Sequence, residues 1–341
     1  MSFNRLFLSF TFLLLTFSIN AQICDLGHVK FDNDFAAASS DKLIASCHIN
    51  AKGDQINFTL QPENKPINNS PWYAFKLSSP EKRTVTITIE VNDGDNRYSP
   101  KVSRDGKVWT LAKHTLSKEK LVFQVKLDEH PLWVAGQEII TNEDYIEWQN
   151  QLVQEGIISL YEIGKSVQKR PMYALEVKQN PKATEWLVIL GRQHPPELTG
   201  AMALFPFTEN ILSNSALANE FRHRYNILIV PNINPDGVEL GYWRHNVNGV
   251  DLNRDWKTFH QPEVKAVHQH IQKIVKQGGK MSMGVDFHST HKEIFYSMPN
   301  DYGVEQRFVV NNWLNTLDQK YPDFKVIEKP GNNPDRGVFK Q

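Results

Sequence analysis

Three side chains that can bind a metal ion follow two apolar segments of the sequence. His194 and Glu197 come shortly after residues 185–190, and His288 comes directly after residues 281–287. A histidine nitrogen and a carboxylate oxygen three residues apart, on a turn that enters a helix, can both reach one zinc ion. A catalytic zinc site has three protein ligands and one open position for water. His194, Glu197 and His288 therefore predict one catalytic zinc ion per chain.

Each of these residues also has an ordinary structural explanation. An H-x-x-E pair can arise by chance in a chain with 12 histidines, and Glu197 could simply interact with the dipole at a helix N-terminus. His288 could be a hydrogen-bonded histidine at the end of a strand. His268 and His270 lie on a polar helix, where we expect solvated side chains.

The chain between the two apolar segments carries several polar motifs in a definite order. N-P-D-G occupies residues 234–237, an isolated Arg244 follows, and D-L-N-R-x-W occupies residues 251–256. With H-x-x-E before them and D-F-H at residues 286–288, these motifs resemble those of the zinc metallocarboxypeptidase family. The resemblance covers roughly residues 186–298.

The resemblance implies a peptidase active site whose zinc ligands are His194, Glu197 and His288. Asn253 and Arg254 would hold the terminal carboxylate of the substrate, to which a planar guanidinium can donate two parallel hydrogen bonds. Arg244 would polarise the scissile carbonyl and stabilise the developing oxyanion. Asp251 would accept a hydrogen bond from His194 and so orient its ring. The alternative for both arginines is a structural salt bridge.

The general base of the family has no counterpart that we can assign. In that family a glutamate acts as the base, and it lies with a tyrosine well beyond the third zinc ligand. Only a short stretch follows His288, and Glu293, Glu305 and Glu328 lack the family's surroundings. We therefore expect the chain as it stands to be an incomplete carboxypeptidase that binds zinc and has little or no activity.

The elements that must position these residues change in character near residue 137. Residues 29–134 contain short β-branched or alternating runs separated by turns, among them a predicted strand at 107–111, and this pattern is typical of an antiparallel β-sandwich. Farther along, strands and helices alternate, with helices predicted at 198–212 and 305–317 and a strand at 225–230, which predicts an α/β layer structure. The resemblance implies a mixed twisted sheet with helices on both faces and an incomplete C-terminal end. In the earlier, strand-rich part, the motif S-P-W-Y-A-F at residues 70–75 is similar to the cytosolic carboxypeptidase branch of the family. The predicted organisation is a signal peptide at 1–21, a β-sandwich domain at 22–137 and a zinc carboxypeptidase domain at 138–341.

The first residues are typical of a secretory signal. Arg5 precedes the apolar run 6–19, which is too short to span a bilayer, and the small residue Ala21 follows. We therefore expect a secreted or periplasmic protein with no membrane span after cleavage. Cys24 and Cys47 could pair in an oxidising compartment or remain free thiols.

The overall charge argues against one class of partner. Lys and Arg together number 38, as do Asp and Glu, and no run of five or six like charges occurs, so nucleic-acid binding is not expected.

The leading hypothesis is a zinc carboxypeptidase that acts on peptide or protein C-termini, including those of cell-wall peptides. The alternatives are a zinc amidase or deacylase acting on small carboxylated substrates, and an inactive zinc protein that binds a peptide or glycan.

Overall fold

The computed structural model describes residues 24–67, 70–154, 156–290 and 292–340. The predicted signal peptide at 1–21 lies outside these residues. The first part of the described chain is rich in strands, which are β1 (Lys30–Asp32), β2 (Ile44–Ile49), β3 (Gln55–Leu60), β4 (Ala74–Ser78), β5 (Arg83–Val91), β6 (Lys101–Ser103), β7 (Thr110–Leu111), β8 (His114–Leu116), β9 (Lys120–Leu127) and β10 (Leu132–Ala135).

These strands form two five-stranded sheets, in the orders β1-β4-β10-β6-β7 and β2-β3-β5-β9-β8. Alternate side chains are buried along the strands, as for Val85, Ile87 and Ile89 on β5. Between the sheets, the ring of Phe58 on β3 stacks on that of Phe75 on β4, with centroids 4.5 Å apart. The predicted sandwich is therefore present.

The prediction that this sandwich is antiparallel is wrong at one strand pair. β3 and β5 are parallel, from Gln55 opposite Thr86 to Leu60 opposite Val91. The other pairings among the described strands of the two sheets are antiparallel. Between β3 and β5 the chain crosses to the other sheet to form β4, and a strand that returns after such a crossover can run in the original direction.

Helices and strands then alternate along the chain. They are α1 (Asn142–Leu152), β11 (Ile158–Lys165), β12 (Pro171–Val177), β13 (Glu185–Gly191), α2 (Leu198–Leu212), α3 (Ala216–Arg224), β14 (Tyr225–Val230), α4 (Pro235–Glu239), α5 (Pro262–Lys276), β15 (Lys280–Phe287), β16 (Ile294–Phe295), α6 (Val309–Lys320) and β17 (Ile327–Glu328).

Five of these strands form a mixed sheet in the order β11-β12-β14-β13-β15. β13 is parallel to β14 and β15, whereas β12 is antiparallel to both of its neighbours. Val188 and Leu190 face the apolar side of α5, and Leu187 and Ile189 face a cluster that includes residues of α1, α2 and α3. The predicted mixed sheet with helices on both faces is confirmed.

The parallel pairing of β13 and β15 decides where polar side chains can meet. Strands that run parallel and side by side end at the same edge of the sheet, which is where ligands bind in open α/β sheets. The segment with His194 follows β13 and His288 follows β15. The loop after β14 begins at the same edge.

The bounds predicted for individual helices and strands agree with the observed bounds to different degrees. α2 and β14 have the predicted bounds, whereas the helix predicted at 305–317 is displaced to Val309–Lys320. The strand predicted at 107–111 is reduced to β7. The carboxylate of Asp105 accepts hydrogen bonds from the N–H groups of Lys107 and Val108, and these bonds hold that segment in a turn.

The expectation that His268 and His270 are solvated is wrong. His270 Nε2 lies 2.7 Å from Glu176 Oε1 on β12, and the histidine side chain is only 9% exposed. The ring of His268 stacks on Phe259, with centroids 3.8 Å apart. In both cases the partner lies outside the helix, so the polarity of the helix does not reveal it.

Two further properties of the described chain concern its cysteines and its helices. Cys24 and Cys47 form a disulfide, a pairing that the sequence left open. In the ranges that the structure describes, no helix is both long and apolar enough to cross a membrane.

The division into two domains near residue 137 stays a prediction. Leu198, Tyr242 and Trp243 come after that point in the sequence, yet they belong to the apolar core of the sandwich. The two regions therefore share buried surface close to the segments that carry the predicted site residues.

Candidate active site

Backbone hydrogen bonds join the loops that follow β13 and β14. The N–H groups of Ile233 and Asn234 donate to the carbonyls of Gly191 and Arg192. The Asn234 side-chain amide donates to the Gln193 carbonyl at 3.1 Å. Both loops are buried here, so the segment that leads into His194 is held on a well-defined path.

The structure brings the three predicted metal ligands together. His194 Nδ1 lies 3.0 Å from one carboxylate oxygen of Glu197, and His288 Nδ1 lies 2.7 Å from the other. One ligand atom from each residue lies within 4.8 Å of the others. His194 and Glu197 are buried, while His288 remains partly exposed. Two imidazole nitrogens and a carboxylate oxygen are a donor set that suits zinc, and the exposed side of His288 leaves access for a further ligand.

The charges in this group depend strongly on one another. Burial alone would raise the pKa of the Glu197 carboxyl, but the charges and hydrogen bonds of His194 and His288 outweigh burial and hold that pKa well below its usual value. Burial would lower the pKa of His288, but Asp286 and Glu197 raise it well above the usual value. The carboxylate is therefore ionised, as a metal ligand must be.

The ring nitrogen of each histidine that points away from Glu197 also contacts a carboxylate. His194 Nε2 lies 2.9 Å from Asp251 Oδ1, and His288 Nε2 lies 2.8 Å from Asp286 Oδ2. Histidines that bind a metal commonly donate their other N–H to a carboxylate, which orients the ring. This observation supports the fit of a metal ion between the two Nδ1 atoms.

The residues that hold His288 were not predicted from the sequence. Asp286 Oδ2 also accepts a hydrogen bond of 2.6 Å from Gln193 Nε2, and Gln193 Oε1 accepts one of 2.9 Å from Trp256 Nε1. Asp286 and His288 are two residues apart at the end of β15, a spacing that places both side chains on one face of an extended chain. That spacing was the available signal. Gln193 carried no such signal, and Trp256 lies in the D-L-N-R-x-W motif but its partner could not be predicted, because the two residues meet only in the folded chain.

Arg244 lies against Asp251 rather than at the surface. Its Nε and one terminal nitrogen lie 2.9 and 2.8 Å from Asp251 Oδ2, and its side chain is 10% exposed. Burial would raise the pKa of Asp251, but His194 and Arg244 lower it far below its usual value. Asp251 thus connects a predicted zinc ligand to the predicted oxyanion residue.

Arg254 is more open than Arg244. Its side chain is 37% exposed, its closest approach to Asp251 is 3.9 Å, and one terminal nitrogen donates to the Asn253 carbonyl. Its guanidinium therefore keeps N–H groups that face solvent. A carboxylate group arriving from solvent could accept hydrogen bonds from them.

Asn253 has contacts that the prediction did not include. Its side-chain nitrogen lies 3.1 Å from His288 Nε2, and its side-chain oxygen accepts a hydrogen bond from the N–H of Phe339. The amide is thus occupied within the described chain. Its predicted role in binding a substrate carboxylate stays a prediction.

The three glutamates considered as bases remain unassigned. Glu328 accepts hydrogen bonds from Ser297 Oγ at 2.6 Å and from Asn311 Nδ2. Among the described residues, neither Glu293 nor Glu305 makes a side-chain hydrogen bond with His194, Glu197 or His288.

Comparison with known proteins agrees with this arrangement. The sequence model of the zinc carboxypeptidase family matches residues 145–325, which is more than half of the chain. The chain belongs to the zinc carboxypeptidase family. A family member of this kind is expected to hold zinc, and the His194, Glu197 and His288 group is where the described structure offers it ligands.

Similar proteins come from several branches of the family. Carboxypeptidase E of Caenorhabditis elegans is 33% identical over 138 residues, which cover 35% of this chain and 28% of that protein. Human cytosolic carboxypeptidase 2 is 33% identical over 115 residues, or 32% of this chain and 13% of that protein. This chain thus matches only a minor part of the length of these two relatives.

A solved structure with a similar fold covers far more of the chain. A metallo-carboxypeptidase from Burkholderia cenocepacia has a TM-score of 0.75 and covers 91% of this chain and 85% of its own, at 21% identity. At this identity the likeness concerns the fold. It extends over the strand-rich region as well as the mixed sheet.

Proposed function

We propose that this family member is a zinc-dependent metallocarboxypeptidase that removes C-terminal residues from peptides. The observation that carries the proposal is the position of Arg244. Through Asp251, its guanidinium is linked to His194, so an oxyanion-stabilising charge lies beside the group of metal ligands. His194, Glu197 and His288 hold the zinc ion in this proposal.

In this proposal each residue of the site has its own chemical role in peptide hydrolysis. A zinc ion at this position supplies a Lewis acid for the hydrolysis of an acyl bond. Asp251 and Asp286 orient the two histidines, and Arg244 stabilises negative charge that develops on the scissile carbonyl oxygen. Arg254, with Asn253 beside it, binds the free carboxylate of the substrate through its planar N–H groups.

The test compares two versions of one blocked peptide, one with a free C-terminus and one with an amidated C-terminus. We expect one zinc ion per chain by elemental analysis and, in a form of the protein that includes the general base, zinc-dependent release of the C-terminal residue from the free form only. Equal cleavage of both forms would refute the carboxylate clamp and favour an amidase or deacylase. Zinc binding without cleavage of either would favour an inactive binding protein.

We also propose that the protein is secreted or periplasmic, with peptides of that compartment, including cell-wall peptides, as substrates. The Cys24–Cys47 disulfide supports this location, since disulfides persist mainly in oxidising compartments. N-terminal sequencing of the protein from its native host is expected to begin near Gln22. A soluble product that still begins at Met1 would contradict the proposal.

A further inference from the structure

The buried carboxylate of Glu63 contacts the backbone that carries Arg244. Glu63 follows β3, and its side chain is 1% exposed. One oxygen accepts the N–H of Trp243 at 3.0 Å, and the other accepts the N–H groups of Arg244 and His245 at 2.9 and 2.8 Å. Successive backbone N–H groups that converge in this way form an anion-binding nest, here filled by a side chain from the strand-rich region.

The carboxylate is ionised in this nest. Burial would raise the pKa of Glu63, but hydrogen bonds from the His245 side chain and from the N–H groups of His245 and Trp243 outweigh burial and lower it. A buried charge of this kind is stable only while its hydrogen-bond donors stay in place. The negative charge and the path of residues 243–245 therefore depend on each other.

The strand-rich region also holds this segment on either side of the nest. The Asn64 side chain donates to the Gly249 carbonyl at 3.0 Å. At Gly241, which has a positive φ of 61°, the Ala38 carbonyl lies so close that no Cβ would fit. Trp243 is fully buried in the sandwich core.

The held backbone leads directly to the candidate site. Arg244 extends from the nest to Asp251, and Asp251 contacts His194. The contacts of Glu63 with Trp243 and Arg244 are made with backbone N–H groups, so they set where the Arg244 side chain starts and leave its guanidinium free to reach Asp251.

We propose that Glu63 is a positioning residue through which the strand-rich region sets the location of the Arg244 guanidinium. The consequence for turnover rests on the proposed carboxypeptidase function, whereas the positioning itself does not. Without the Glu63 carboxylate, three buried N–H groups lose their acceptor and the segment relaxes. Arg244 then leaves Asp251 for part of the time.

The first test measures hydrogen exchange at the Arg244 side chain by NMR of protein labelled with ¹⁵N-arginine. The Arg244→Lys variant assigns the Nε–H signal by its loss. Glu63→Gln keeps the size of the side chain but places an amide N–H₂ group among N–H donors. Loss of hydrogen bonds to a buried charge should accelerate exchange at Arg244 Nε by about 10-fold or more.

The matched control is Glu176→Gln. Glu176 is also a buried carboxylate bonded to a histidine, His270, but it lies on β12 and contacts α5. This variant is expected to lose stability without a change in exchange at Arg244. Equal acceleration in both variants would refute the proposal, as would unchanged exchange at Arg244 in Glu63→Gln.

The second test compares turnover of the free-carboxylate peptide by the zinc-loaded proteins, each in a form that includes the general base. Glu63→Gln should lower kcat more than it raises KM, at unchanged zinc content, because Arg244 acts on the developing oxyanion. An unchanged kcat in a variant whose Arg244 exchange is faster would refute the effect on turnover. If the unmodified protein cleaves no peptide, the proposed function fails while the exchange measurement still decides the position of Arg244.

Glu63→Asp provides a milder variant in case the glutamine variant does not fold. It retains the charge on a side chain shorter by one methylene, so only part of the nest can be satisfied. Faster exchange at Arg244 Nε than in the unmodified protein would support the proposal. Exchange equal to that of the unmodified protein would count against it.

Discussion

His194 and His288 each lie between two carboxylates. Glu197 contacts the Nδ1 atom of both rings, while Asp251 and Asp286 contact the Nε2 atoms. If each Nε2–H donates outward, both Nδ1 lone pairs point toward Glu197 and are available to one metal ion. Each histidine is therefore oriented by the carboxylate at its Nε2 atom, and the loss of either the histidine or that carboxylate should weaken metal binding.

Removal of a single ligand should remove the metal. His194→Ala and His288→Ala each delete one of three protein ligands, so we expect zinc content well below one per chain by elemental analysis after dialysis. His270→Ala is the control, since that histidine is also bonded to a carboxylate but lies on α5. Zinc content that stays at one per chain in both ligand variants would show that the site is elsewhere.

The two arginines should differ in the kinetic constant that they affect. In a form of the protein that includes the general base, Arg244→Ala should lower kcat by about 100 to 1,000-fold, the usual loss for an oxyanion donor. Arg254→Lys should mainly raise KM for a free C-terminus, because a lysine ammonium does not reproduce the planar pair of donors. Steady-state kinetics on the free and amidated peptides separate these effects. Arg244→Ala with normal kcat and raised KM would make that residue a binding group instead.

The N-terminal end of α2 packs directly against the end of β15. A Cβ on Gly200 would lie 2.9 Å from the carbonyl oxygen of His288 and 3.0 Å from its carbonyl carbon. The Ser289 hydroxyl accepts the Gly200 N–H at 2.9 Å across the same contact. Since Glu197 immediately precedes α2 and His288 follows β15, this close approach sets the distance between two predicted ligands.

Gly200→Ala should therefore weaken both folding and metal binding. The inserted methyl forces α2 and β15 apart, at a cost of about 1–3 kcal/mol, which exceeds the gain of about 1 kcal/mol from replacing a helical glycine. Urea unfolding and a zinc competition titration measure the two effects. Gly331→Ala is the control because nothing lies within 4 Å of its Cβ position. A Gly200→Ala protein with normal stability and normal zinc affinity would contradict this account.

At the scale of the whole molecule, the strand-rich region and the mixed sheet share one buried boundary. Leu198, Tyr242 and Trp243 pack in the sandwich core, and Gln137 Nε2 donates to the Pro196 carbonyl at 3.1 Å. The segments before α2 and around Arg244 are thus partly supported by the other region. Stability of the strand-rich region should therefore matter for the candidate site.

The disulfide should contribute to the stability of that region. Cys24 and Cys47 are separated by 23 positions, and closing a loop of that size in the unfolded chain stabilises the fold by about 3 kcal/mol. The double variant Cys24→Ser, Cys47→Ser should unfold at correspondingly lower urea concentration. Reductant should destabilise the unmodified protein and leave the double variant unaffected. A reductant effect of equal size in both proteins would contradict the assignment.

Acid should remove the stabilisation that the Glu63 carboxylate provides. The pKa of Glu63 is lowered on folding, so its contribution is fully present above the unfolded value of 4.5 and is lost as the pH falls through the lower, folded value. The free energy of unfolding of the unmodified protein should exceed that of Glu63→Gln by about 2 kcal/mol at pH 7. The difference should shrink below pH 4.5 in urea titrations across this range. A constant difference would show that the carboxylate charge is not involved.

The sequence alone determined the elements and residues whose signals are local. α2 and β14 were predicted with their observed bounds because each is a largely apolar segment that lies between polar residues or proline. The order of the polar motifs indicated the family. The positions of His194, Glu197 and His288 after two apolar segments predicted three ligands that the fold does bring together. Parallel strands end at one edge of a sheet, so such a prediction needs no knowledge of individual contacts.

Only the tertiary structure decided which distant side chains support that group. Gln193 donates to Asp286 and accepts a hydrogen bond from Trp256, and Glu63 reaches the backbone of Arg244 from a strand region far away in the sequence. The parallel pairing of β3 and β5 was also unforeseen. Hydrophobic periodicity reports which face of an element is buried, but it carries no information about which polar group meets it there. That choice is made by packing, because a buried polar group must find its hydrogen-bond partner wherever the completed fold places one.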